Sequence, residues 1–280
     1  MSQLLILTSA RRTDEPWAYL TSTVEQIEQE EIDIPKGIVC DGKYTGPALP
    51  PGWTVQEYFR DRIDLLDAKA SDVDVERQAH DRGDVLANIV LGPEIRPLEE
   101  NAAQTLVQGN KKPYWHLLKL AAETGEDVIA LEDDLTLCHN AIRRMATLPI
   151  PGDLAWLQFF SPKIFQQMWA FIGLWRPPPY SHGFLQAVKF SRRALPTIAG
   201  WRDELEWHKY GSSDDTLNLC AMRHGLKYGA HYPDLVQHAG DVSAVAPEFA
   251  PQSLKGKLST CWPGKAFDAL SLYRRDDVYR

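Results

Sequence analysis

Short apolar runs alternate with amphipathic stretches along much of this chain. Residues 4–8 (Leu4, Leu5, Ile6, Leu7, Thr8) form an unbroken apolar run closed by a polar turn, the pattern of a buried strand. Over residues 16–29, Trp17, Leu20, Val24 and Ile27 recur at helical spacing. Residues 37–40 read as a second strand ending at Asp41, and Gly42, Gly46, Pro47, Pro50, Pro51 and Gly52 mark the loop that follows. The stretch 54–110 is less regular, with a helix predicted around residues 58–66, a charged segment at 72–84 and apolar residues at 85–91. From Pro113 the pattern sharpens. Proline suits a first helical position, Trp115, Leu118, Leu120 and Ala121 follow, and Gly125 is a stop signal. The apolar residues 128–131 then predict a buried strand that runs straight into Glu132, Asp133 and Asp134. Further strands are expected at 154–159, 185–190 and 228–232, with helices starting near Ser191 and Asp214, and the segment around His238 reads as a turn.

Strands alternating with helical patterns predict an α/β fold, Rossmann-like, with a mixed, mostly parallel central sheet flanked by helices. No internal repeat, low-complexity linker or domain boundary interrupts the 280 residues, so one domain is expected. The four cysteines, Cys40, Cys138, Cys220 and Cys261, lie far apart without a Cys-x-x-Cys pair, so neither a zinc knuckle nor a disulfide framework is indicated. The first apolar run is too short for a signal peptide and no run reaches the ~20 residues of a membrane span, which predicts a cytoplasmic protein. Thirty basic against thirty-eight acidic residues give a formal charge of -8, so there is no general attraction to nucleic acid or anionic membranes.

The acidic triplet is the strongest chemical signal. Three adjacent carboxylates at the end of a buried strand repel one another unless a cation or hydrogen-bond donors neutralise them. Hard oxygen ligands suit magnesium or manganese, whose open positions phosphate oxygens can fill. A solvated acidic turn capping the next helix is the alternative. Asp214 and Asp215, opening a helix after Gly211, Ser212 and Ser213, are candidates for a general base, although aspartate is equally at home as a helix cap. His238 adds an imidazole that a metal site could use, against a purely structural role. His182 and Gly183, before the strand at 185–190, suggest a close backbone approach to a ligand or a simple turn. Thr8, Arg11, Arg12 and Asp41 follow the first two strands, where nucleotide contacts form in α/β sheets, or else lie on the surface.

With these residues in hand, the chain resembles the N-acetylglucosaminyltransferase family that adds β1,4 branches to the mannose core of N-glycans. Three blocks carry the likeness in the expected order: Leu7 to Arg12 with the later Tyr19 and Leu20; Trp115 through Leu131, Glu132, Asp133, Asp134 and Leu135; and Leu235 to Gly240 with Ser243 soon after. Gly183 and the following residues to Arg193 also look like a glycine, strand and Ser-Arg-Arg element found in such transferases.

The resemblance implies a GT-A fold, inverting sugar transfer, a uridine diphosphate sugar donor and manganese, with magnesium as its substitute. Asp134 and His238 would be metal ligands with Glu132 beside them, and Asp214 falls nearest the family's base when Leu217 is the anchor. Glu132, Asp133, His182 and Gly183, with Thr8, Arg11, Arg12 and Asp41, would line the nucleotide-sugar site. Residues 1–135 would then form the nucleotide-sugar half, 136–250 the acceptor half and 251–280 a tail.

The acceptor would be a hydroxyl of a glycan or surface polysaccharide in a bacterial or phage setting. A phage-type transferase acting on hydroxymethylated bases in DNA is a second reading. The acidic net charge argues against it, while scattered basic pairs and the basic tail (Lys255, Lys257, Lys265, Arg274, Arg275) leave it open. A nucleotidyltransferase would want a glycine-rich phosphate loop that the first loop lacks. A non-catalytic nucleotide-sugar-binding module needs no base.

Overall fold

A computed structural model describes residues 2–10, 17–59, 102–160, 173–175, 185–201, 213–239 and 262–271. The first strand, β1 (Ser2–Ser9), is buried on both faces, which is why its sequence is a continuous apolar run and not an alternation. Its successive side chains point to opposite sides of the sheet. Leu4 and Ile6 join one core cluster with Leu20, Val24 and Ile27 of α1 (Ala18–Glu28). Leu5 and Leu7 join the other, with Tyr114, Leu117, Leu118 and Ala121 of α2 (Ala102–Thr124). Each helix therefore covers one face of the same strand. Truncating a fully buried residue such as Ile6 to alanine would cost about 2–5 kcal/mol.

β1 pairs in parallel with β2 (Lys36–Asp41) on one side and with β4 (Asp127–Glu132) on the other. β3 (Trp53–Tyr58) extends the β2 edge, again in parallel. The remaining elements are β5 (Leu135–Leu137), α3 (Ala141–Thr147), β6 (Trp156–Gln158), β7 (Gly173–Trp175), β8 (Ala187–Phe190), α4 (Leu195–Gly200), α5 (Ser213–His224), β9 (Tyr228–Tyr232) and β10 (Val236–His238). The main sheet has eight strands in the order β3-β2-β1-β4-β8-β6-β9-β7. β8 runs against both β4 and β6, and β7 runs against β9. The other six share one direction, so the sheet is mixed with a parallel majority, as expected.

Three local readings differ. Pro113 lies inside α2, which begins eleven residues earlier at Ala102. A proline inside a helix removes one hydrogen bond, and here the burial of Tyr114, Trp115, Leu117 and Leu118 against the sheet outweighs it. Tyr58 ends an edge strand and does not start a helix; residues 60–66 lie outside the described residues. His238 belongs to β10, because Val236 and Gln237 pair with Leu137 and Thr136. Gly125 ends α2 as read: its φ of +69° is the left-handed conformation glycine adopts without strain, and it turns the chain back into β4.

Candidate metal centre

The order β2-β1-β4 places a topological switch at β1: the chain steps outward to β2, then returns to the opposite side as β4. Ligands of α/β sheets bind beyond the carboxyl ends of the strands at such a point. Thr8 and Glu132 stand at those two ends. The turn that joins β4 to β5 is held by three side chains, one from β1 and two from α1. The Thr8 hydroxyl donates to Asp133 Oδ2 at 2.5 Å. Thr23 Oγ1, from α1, donates to the carbonyl oxygens of Asp133 and Leu135 at 2.7 and 3.2 Å. Gln26 accepts from the Leu137 amide at 2.9 Å and donates to the Leu135 carbonyl at 3.3 Å.

β10 pairs antiparallel with β5 in a separate two-stranded ribbon, with His238 opposite Leu135. The Ala239 amide then donates to the Asp134 carbonyl at 2.8 Å. This pairing brings together residues more than a hundred positions apart in the chain. His238 Nε2 lies 3.3 Å from Asp134 Oδ2, and both side chains are buried, at 9% and 7% exposure. One ligand atom each from Glu132, Asp134 and His238 lie within 4.8 Å of one another.

The electrostatics follow from that crowding. Burial pushes the Glu132 carboxyl up to about 8, and repulsion from Asp134, Asp214 and Asp133 adds to it, while His238 works in the opposite direction. A cation among these groups would relieve the repulsion. Two carboxylates and an imidazole are a donor set a divalent ion such as manganese accepts, and three protein ligands leave coordination positions for oxygens of another molecule. The residues present therefore fit the metal that the family resemblance implies.

Asp214 reaches the same corner from the first turn of α5. Its Oδ1 accepts from the Leu185 amide at 3.2 Å, just before β8, and its charge acts on Glu132. Asp41 is buried at the end of β2, where Oδ2 accepts from the Ser9 hydroxyl at 3.5 Å. Thr8 and Asp133 bond each other at the base of the acidic turn. Arg11, Arg12, His182 and Gly183 lie outside the described residues, as does the side chain of Asp215. The structure adds residues that sequence reasoning missed: Thr23 and Gln26, which shape the turn, and Tyr114, a buried phenol on which the charges of Glu132 and Asp214 act. Thr23 and Gln26 carried one signal, being polar residues on or beside the buried face of α1.

No protein-family model and no curated protein sequence matches this chain. Solved structures offer distant likenesses. A galactosyltransferase, LgtC, in complex with donor and acceptor sugar analogues has a TM-score of 0.44 and 13% identity over 92% of this chain and 96% of that one. A glycosyltransferase involved in glycosylation of the major capsid of PBCV-1 has a TM-score of 0.39 and 12% identity, covering 88% and 96%. Mouse xyloside xylosyltransferase 1 has a TM-score of 0.36 and 10% identity, covering 81% and 84%. Likenesses this remote decide nothing about chemistry. No described helix is long and apolar enough to cross a membrane.

Proposed function

We propose that this chain is a metal-dependent glycosyltransferase of the GT-A type, moving a sugar from a uridine diphosphate donor to a hydroxyl acceptor with inversion. The observation that carries the reading is the convergence of Glu132, Asp134 and His238 at the switch point of the sheet. Asp134 and His238 would hold manganese, or magnesium in its place, with Glu132 as the third ligand. The bound ion supplies neutralisation of the negative charge that grows on the departing diphosphate.

The remaining work belongs to the chain's own groups. Asp214, oriented by the Leu185 amide, takes the proton of the attacking hydroxyl, with Asp215 as its alternate. Thr8, Arg11, Arg12, Asp41, Glu132 and Asp133 would bind the nucleotide sugar, with His182 and Gly183 allowing its close approach to the strand that follows. In this reading residues 1–135 bind the nucleotide sugar and residues 136–250 the acceptor. The donor sugar is a hexose or N-acetylhexosamine, and the acceptor a glycan or surface polysaccharide.

A panel of nucleotide sugars with manganese, scored by release of free diphosphate and by thermal shift, tests the proposal. Turnover of at least one uridine diphosphate sugar, abolished by chelator and by Asp134→Asn, is the expected result. Silence across the panel, or turnover indifferent to both treatments, would sink it.

A further inference from the structure

Tyr114 carries a hydroxyl that the described residues leave unused. The side chain is 1% exposed, its ring is packed in the core with Trp115, Leu117 and Leu118, and its oxygen has no hydrogen-bond partner among the described residues. Buried polar atoms are nearly always satisfied, so an exception calls for a cause in strain or in function. Its position supplies one. From Tyr114 to the end of α2 at Thr124 is about 15 Å at ~1.5 Å per helical residue. From Asp127 to Glu132 is about 16 Å at ~3.3 Å per strand residue. Because Gly125 reverses the chain between them, Tyr114 stands level with Glu132, at the site end of the sheet.

The carboxylates of Glu132 and Asp214 are near enough to act on the phenol electrostatically. Among the described residues, one unpartnered O–H donor thus lies within electrostatic reach of two carboxyl groups. A group that satisfies both kinds at once is another hydroxyl, which accepts through oxygen and donates through hydrogen, and a bound sugar carries several. We infer that Tyr114 is a specificity-determining residue: its O–H donates to one hydroxyl of the bound sugar, and that hydroxyl donates in turn to Glu132 or Asp214. The inference rests on the glycosyltransferase reading. Burial, and then the two carboxylates, hold the phenol well above its ordinary range, so it remains a donor across any working pH. No hydrogen bond within the described residues has to break for it to engage the sugar.

Tyr114→Phe removes one oxygen and keeps the ring. Two measurements decide the matter: melting of both proteins without ligand, and kcat/KM of both with the uridine diphosphate sugar the wild type turns over fastest and with its monodeoxy analogues. The variant should melt at or above the wild-type temperature. Its kcat/KM for the full sugar should fall on the order of ten- to a hundredfold. One deoxy analogue should suffer a similar loss with the wild type and no further loss with the variant, because the two changes remove the same bond. Unchanged kinetics of the variant, an equal penalty for every deoxy analogue in both proteins, or a melting temperature several degrees lower would each overturn the assignment while leaving the parent reading standing. A wild type that turns over no nucleotide sugar removes both together.

Discussion

Thr23→Val tests whether the acidic turn is held from behind. Thr23 is fully buried in α1, and its O–H serves the Asp133 carbonyl at 2.7 Å and the Leu135 carbonyl at 3.2 Å. Valine keeps the shape and the branched Cβ but has no donor. The Leu135 carbonyl retains the Gln26 side-chain amide at 3.3 Å, so the loss falls mainly on Asp133. Removing the partner of one buried carbonyl costs about 1–2 kcal/mol, which lowers the melting temperature of a domain this size by about 2–8 °C. A second effect should exceed the first in functional terms. The carbonyl released lies between Glu132 and Asp134, so both ligands lose their fixed orientation, and manganese affinity should fall about ten- to a hundredfold. Urea denaturation and calorimetric titration with manganese read the two quantities separately. Thr21→Val is the control: its hydroxyl bonds the Trp17 carbonyl within the same helix, at 2.8 Å, and its loss should stay within about 0.5 kcal/mol. Wild-type stability and wild-type manganese affinity in Thr23→Val, or effects no larger than those of Thr21→Val, would refute the reasoning.

His238→Ala should weaken manganese binding by at least about a hundredfold while the far-ultraviolet circular dichroism stays unchanged, since β10 pairs through its backbone; wild-type affinity would remove His238 from the ligand set. Of Asp214→Asn and Asp215→Asn, one should lower kcat by roughly a hundred- to ten-thousandfold with donor affinity preserved, and full turnover in both would leave the reaction without its proposed base. Lys189 sets a pH dependence of stability. Burial lowers its ammonium from 10.5 to about 8, and Nζ donates to the carbonyls of Ala146 and Leu148. A depressed folded value means its stabilising contribution is complete above 10.5 and is lost as pH falls to about 8, a change of up to about 3 kcal/mol. Subtracting the Lys189→Met stability curve from that of the wild type isolates this rise between pH 8 and 10.5, and a flat difference would contradict it.

The parts of the fold that could be read from the chain are those whose cause is local. β1 and β4 are covered on both faces, so a run of neighbouring residues in each is apolar and the strands announce themselves. β3 is an edge strand, largely exposed and without a sustained alternation, behind a loop rich in glycine and proline, and nothing local separates Trp53–Tyr58 from that loop. Pro113 misled for the same reason in reverse: its preference for a first turn is local, while the packing that carries α2 back to Ala102 is not.

The candidate site divides along this line. Charge at the end of a buried strand is informative because burying it is costly, so the acidic tip could be recognised from the residue order alone. The approach of His238 could not, since it depends on β10 pairing with β5 across most of the second half of the chain. Tyr114 is the instructive case, because its position level with Glu132 follows from helix rise, strand rise and one glycine turn, each of them a local property of the chain. What hid it is that an aromatic ring on an apolar helix face is ordinarily core, and the ring here is core. The role inferred for it resides in one oxygen atom at the edge of that ring. A hydrophobic pattern sums over whole side chains, so a residue can satisfy the pattern completely and still carry a lone polar atom into the core without a partner among the described residues.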